Sequence, residues 1–255
     1  MSALPLPTRR QEEWRYSDLA AVAAIWPLPE AERIVVPAGQ RAARALLQDA
    51  AADATVVRDY AVEVGDGATL AVHLLNMGGL LGRITFRVTL GRGAHFALSG
   101  AMIGGTLADG RGQTLEIVTR VVHAEPEATS AQVVRSILGG KATGTYLGTI
   151  EVARHAQKTD ASQSVKAMLL DRTATANAKP ELLIYADDVK CAHGAAVGEL
   201  DREALFYLAS RGMDPATAKK LLLRAFVADV FEGLDDAAER ERFEAAALAK
   251  LEALA

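Results

Sequence analysis

A thiol and an imidazole stand two residues apart in the run Ala186-Asp187-Asp188-Val189-Lys190-Cys191-Ala192-His193-Gly194. On a strand, that spacing puts Cys191 and His193 on one face. Both are ligand types that suit iron and zinc, and thiolate is the usual anchor of an iron–sulfur cluster. The pair falls short of the roughly four protein ligands a cluster normally takes. Cys191 is the sole cysteine, so this chain can build neither an intrachain disulfide nor a paired-cysteine zinc site. Any metal chemistry at this pair is therefore shared with another chain or with small molecules. The plainer alternative is a buried structural cysteine beside a satisfied histidine.

Other candidates are weaker. Asp187 and Asp188 resemble the paired carboxylates of glycan-cleaving β-solenoid enzymes, but adjacent strand residues point to opposite faces, so a turn role is expected. Gly139-Gly140-Lys141 lacks the phosphate-loop pattern, with Arg135 in the place of its first Gly and Ala142 after the Lys; it reads as a turn. His73, His95, His123 and His155 fall in separate strand-like runs without motif spacing, which suits surface or packing roles. Phe206, Tyr207 and Arg211 share a predicted helix with Leu205 and Leu208. Such spacing is ordinarily core packing, yet a short helical domain can leave part of that face open to a partner.

The elements that would position these groups fall into three regions. With 255 residues, half of them hydrophobic, the chain can bury a sizeable core. A formal charge of −4 without a basic patch argues against nucleic acid as a partner. Met1 to Arg10 holds no continuous apolar run, and no segment reaches the roughly 20 residues that span a bilayer. A cytoplasmic chain without membrane contact is expected, and a lone cysteine fits that compartment.

Residues 1–52 read as a mixed segment with an amphipathic helix over Gln40 to Ala51. Residues 53–198 read as all-β, by alternation clearest in Ile84, Phe86, Val88 and Leu90 against Thr85, Arg87 and Thr89. Similar runs recur at Thr69 to Leu74, Gln113 to Val122, Gln132 to Leu138, Thr145 to Val152, Ser162 to Leu170 and Glu181 to Tyr185. Breaks fall at Gly91-Arg92-Gly93, Asp109 to Gly112 and Lys179-Pro180. No crossover-helix pattern separates the runs, which leaves a sandwich, a barrel or a β-solenoid open; no strict repeat length fits. Residues 199–255 read as helical, with helices near 201–211, 215–232 and 236–253. Gly212 and Asp214-Pro215 supply one stop and start, Gly233 and Asp235 the next, and Leu222, Phe226, Val230 and Phe231 line the second helix.

The block from Lys179 through Gly198, continuing over Leu205-Phe206-Tyr207-Leu208 to Ser210-Arg211-Gly212, carries a family resemblance. Ala156-Gln157-Lys158-Thr159-Asp160-Ala161 and Glu13-Trp14-Arg15-Tyr16-Ser17-Asp18-Leu19 agree with it in the same order. Over most of residues 12–232 the chain resembles the SufB/SufD family of iron–sulfur cluster assembly scaffolds, and its SufD branch at Asp187-Asp188-Val189-Lys190-Cys191. The resemblance implies a right-handed parallel β-helix followed by a helical C-terminal domain, acting as a non-catalytic scaffold. It implies pairing with SufB through the β-helix and docking of a SufC ATPase through the C-terminal helices, in the region of Phe206, Tyr207, Arg211 and Gly212. ATP-driven closure of SufC would rearrange the SufB interface where a cluster forms. His193 matches the SufD histidine implicated there, and Cys191 the neighbouring motif cysteine. No cofactor is expected to bind this chain stably by itself; the complex would carry a transient iron–sulfur cluster, with flavin a further candidate, and the isolated chain a homodimer option. Two departures accompany the match. The chain is short for the family, lacking most of its N-terminal helical region and some coils, and Ala192 and Ala196 stand where Ser and Thr are common.

Overall fold

Alternation of this kind needs a partner strand on each side, and the chain supplies them by coiling. In the computed structural model, which describes residues 5–254, odd-numbered strands form one parallel sheet: β1 (Glu32–Val36), β3 (Thr55–Val64), β5 (Leu81–Leu90), β7 (Thr114–His123), β9 (Thr143–Val152) and β11 (Thr175–Ile184). Even-numbered strands form the second: β2 (Arg41–Gln48), β4 (Thr69–Asn76), β6 (His95–Gly104), β8 (Thr129–Leu138), β10 (Asp160–Leu169) and β12 (Lys190–Glu199). Each turn of the chain adds one strand to each sheet, which makes the architecture a parallel β-solenoid. The stretch Met1 to Leu4, at the start of the Met1 to Arg10 reading, and Ala255 lie outside the described residues.

Stacked coils are held at the corner between the sheets by a repeated left-handed residue. Gly39, Gly67, Gly93, Glu127 and Lys158 all have φ between 61° and 70°, and each donates its backbone N–H to a carbonyl of the next coil, from Gly39 to Asp66 through to Lys158 to Asp188. Inward residues of both sheets then fill the interior, with Tyr60 stacked on Phe86 at 5.1 Å between ring centroids. Burial of such side chains, about 1.5–3 kcal/mol each, is the main source of stability.

Both outer faces are partly covered. The N-terminal segment, including the short helix α1 (Leu19–Ala23), lies on the odd sheet: Trp14 stacks on Arg83, Ser17 donates to Glu116 at 3.0 Å, and Lys179 donates to Glu12 at 2.7 Å. On the even sheet sit the C-terminal helices α2 (Arg202–Ser210), α3 (Pro215–Phe231) and α4 (Ala237–Glu252). Leu223, Val227, Val230 and Phe243 pack there against Leu75, Ala101, Ile103 and Ile137. Arg135 donates to Asp229 at 2.5 Å, and the His73 Nδ1–H donates to the Val230 carbonyl at 3.1 Å. No helix among the described residues is long and apolar enough to cross a membrane.

Four expectations are corrected. Gln40 to Ala51 is not a helix: Arg41–Gln48 is strand β2, paired in register with β4, and solenoid strands therefore begin at Glu32 rather than after residue 52. Lys179-Pro180 is no break but lies inside β11. The cap of α4 is Asp236, whose carboxylate accepts from the Ala238 and Glu239 N–H groups, rather than Asp235. Finally, the buried face of α3 is Ala218, Leu223, Val227, Val230 and Phe231, so Leu222 is off that face and Phe226 only partly buried. The three helices, Gly212 at φ 85° and the Asp214 cap stand as expected.

Candidate functional site

Cys191 and His193 lie on β12, the last strand of the even sheet, with only one neighbour, β10. Register places Cys191 beside Ala161 and His193 beside Gln163. Ala161 and Gln163 are buried, whereas Ser162 between them is exposed, so the pair shares the face turned toward the solenoid interior. Spacing and geometry agree on this point.

Surroundings separate the two side chains. Cys191 packs at the margin of an apolar cluster of Ile150, Val152, Ala156, Ala161 and Ala186. Burial, aided by the negative charge of Asp160, pushes its thiol up from the ordinary range. At neutral pH it is therefore a protonated, packing thiol. His193 is exposed and tops a polar ladder, with Gln132 and Gln163 on successive strands below it.

The backbone of this last coil is an open template. Lys190 N–H donates back to Thr159 at 2.8 Å, so by alternation Cys191, His193, Ala195 and Val197 present their N–H groups to the unpaired edge. On the odd sheet, Thr175 and Tyr185 donate back to Ala142 and Val152. Pro180 then falls where an N–H would face outward, a position in which proline costs no ladder bond; this is why β11 runs through it. Leu183, Ile184, Tyr185 and Val197, each at least 40% exposed, line the same end of the solenoid. An uncovered strand edge with apolar neighbours is the kind of surface to which another chain can add a strand.

The helical candidates form a second surface. No residue of α2 is buried; Phe206 is 76% exposed and Tyr207 57%, and the Arg211 guanidinium lies 5.3 Å from the Tyr207 ring. Gly212 terminates this helix in a left-handed conformation.

The remaining candidates do not converge. Asp187 and Asp188 occupy the bend before β12, where Asp188 supplies backbone groups to Lys158 and Gln157. Gly139-Gly140-Lys141 is a turn pinned by Asp171 and Thr106. His73 lies under α3, His95 bonds Thr129 on the outer face, His123 is enclosed in the core against Ser130, and His155 faces Glu125 at a corner. The ladder residue Gln163 is absent from the sequence reading. Its inward position in the Ser162 to Leu170 alternation was the available signal.

These features define a β-solenoid with a helical appendage and an open end that carries a thiol and an imidazole. Residues 30–226 match the family described as SUF system FeS cluster assembly, SufBD core domain, and the chain belongs to that family. It is 41% identical over 118 residues to the iron–sulfur cluster assembly protein SufD of Escherichia coli, covering 46% of this chain and 28% of that protein. It is 39% identical over 121 residues to the chloroplastic protein ABCI7 of Arabidopsis thaliana, covering 47% and 26%. An iron–sulfur cluster assembly SufBD family protein of Mycobacterium leprae aligns more broadly, at 28% identity over 221 residues, 83% of this chain and 55% of the relative. Together they make it SufD-like, and the matched region spans between about a quarter and about half of each relative's length.

Proposed function

We propose that this chain is a non-catalytic scaffold subunit for iron–sulfur cluster assembly, whose last coil forms half of an assembly site that a SufB-type partner completes. The observation that carries the reading is the open edge of β12, where a row of unpaired backbone groups coincides with Cys191 and His193. A strand added to that edge brings the partner's own side chains beside His193, supplying the ligands this chain lacks. The nascent cluster is cargo on this surface. His193, exposed and imidazole-bearing, is the leading ligand; Cys191 acts chiefly by packing unless a bound metal draws off its proton.

The exposed Phe206 and Tyr207 on α2 support a second contact, the docking of a SufC-type ATPase. Because α3 joins α2 to the even sheet through Arg135 and Asp229, movement of a docked ATPase has a rigid route to the coil that bears His193. The reading extends to a cytoplasmic location, on the lone cysteine.

Co-expression with the SufB and SufC of the same source tests the proposal. The chain should elute with both, and separate elution under gentle conditions would remove it. The same open edges favour self-pairing of the isolated chain; a homodimer mass that disappears on adding SufB is the expected result, whereas one that persists would favour a homodimeric role.

A further inference from the structure

Inside the solenoid a polar line crosses an otherwise apolar core. Tyr146 on β9 donates its O–H to Gln132 Oε1 at 3.1 Å, and Thr119 Oγ1 lies 3.2 Å from the same phenol oxygen. With the phenol proton committed to Gln132, the Thr119 hydroxyl is the donor to Tyr146. Gly148 makes room for this phenol, since a Cβ there would collide with it. The direction of the line is thus fixed as far as Gln132, whose Nε2 finds no acceptor among the described residues.

The next rung is Gln163, register partner of Gln132 on one side and of His193 on the other. It is 3% exposed, and neither end of its amide has a partner among the described residues. A buried amide in that condition is costly unless a neighbour satisfies it. Adjacent rungs stand about 4.8 Å apart, within reach of a side-chain hydrogen bond. The Gln163 carbonyl has two lone pairs, and each register neighbour carries a donor group, the Gln132 amide on one side and the His193 imidazole on the other.

We infer that Gln163 is a positioning residue for His193, its Oε1 accepting a ring N–H and thereby fixing the tautomer. The other ring nitrogen is then unprotonated and presents its lone pair to the open edge, the state in which an imidazole ligates a metal or cluster. Gln163 is itself enclosed by the core, so a ring that it bonds is held from inside the solenoid rather than by the loop before it. This inference rests on the proposed role of His193 for its consequence in assembly, but the contact itself does not depend on that role.

The test uses the full chain with selectively 15N-labelled histidine, in alkaline buffer, with the His193 signals assigned by their loss in His193→Ala. One tautomer is expected in the native protein. Gln163→Met, similar in length but without an acceptor, should yield a tautomer mixture, and Gln163→Glu, which restores an acceptor, should return a single form. In cells relying on this chain, Gln163→Met should lower iron–sulfur enzyme activity on the order of tenfold, with Gln163→Glu restoring most of it. A mixed tautomer in the native protein, or a His193 spectrum unchanged by Gln163→Met, overturns the inference. If the tautomer follows Gln163 while His193→Ala cells assemble clusters normally, the contact stands and the assembly role of His193 falls.

Discussion

Arg83 and Glu116, register partners on β5 and β7, form an ion pair buried on the outer face of the odd sheet, each side chain 1% exposed. The Trp14 ring lies 3.9 Å from the guanidinium, and Ser17 donates to the carboxylate, so the pair seats the N-terminal segment. Removing one member strands a buried charge. Glu116→Ala should cost about 3–5 kcal/mol, whereas Arg83→Met with Glu116→Leu should recover most of that loss. Urea unfolding of the single and double variants measures both. A single variant as stable as the native chain would show that the pair contributes nothing to seating the segment.

His123 gives the fold a pH dependence. Enclosed in the core with Nε2 bonded to Ser130, it has its pKa lowered by burial from 6.5 to about 4. The folded state therefore prefers the neutral ring. Its contribution is complete above the unfolded pKa of 6.5 and is lost as pH falls through about 4, at about 1.4 kcal/mol per pH unit between. His123→Leu should flatten that part of a stability–pH curve followed by urea midpoints. An unchanged slope would assign the acid sensitivity to other groups.

Two corner residues carry backbone strain. Glu127 and Lys158 have φ of 65° and 61° at positions that glycine fills in the earlier coils. A left-handed conformation costs a non-glycine residue about 1–2 kcal/mol, partly offset by the greater unfolded-state freedom of glycine. Lys158→Gly should thus raise stability by up to about 1 kcal/mol, visible as a higher melting temperature. A lower one would mean that the lysine side chain does more for the corner than its backbone strain costs.

These corners also explain what the sequence could and could not reveal. Strands such as β5 are legible where the outer partners Arg87 and Thr89 are polar and exposed. Strand β2 has partly buried apolar residues on both faces: Ala42 and Leu46 pack toward the interior, Ala45 and Leu47 toward the C-terminal helices. Its apolar residues therefore lose the period of two and mimic a helix. Connections of unequal length, such as the excursion from Gly105 to Gln113 between β6 and β7, hide the repeat even though every rung is in register. Cys191 and His193 were visible because they are neighbours along one strand. Gln163 meets His193 only through strand pairing, which neither motif nor spacing encodes.

The β12 edge can be tested by copying what Pro180 does on β11. Val197 presents its N–H outward, so Val197→Pro should leave the bonds to β10 in place while removing a donor from the unpaired outer row. Folding should be altered by less than about 1 kcal/mol, and co-elution with SufB should be lost or sharply weakened. Undiminished co-elution would mean that the partner does not bind by extending this sheet.

Cys191 and His193 should respond differently to replacement, because one is packed and the other exposed. Cys191→Ser puts a hydroxyl against Ala161 and Val152 and should destabilise by about 1–2 kcal/mol, with alkylation of the native thiol slow at neutral pH and faster as pH rises. His193→Ala removes no core contact, and its stability should stay within about 0.5 kcal/mol of the native chain. Iron–sulfur enzyme activity in cells should nevertheless fall with His193→Ala, even when the complex with SufB still forms. Thermal melting, iodoacetamide kinetics and that cellular assay together separate packing from chemistry. Full cellular activity in His193→Ala would remove the imidazole from the assembly site. Equal stability in Cys191→Ser, coupled with lost activity, would instead make the thiol a ligand in spite of its apolar surroundings.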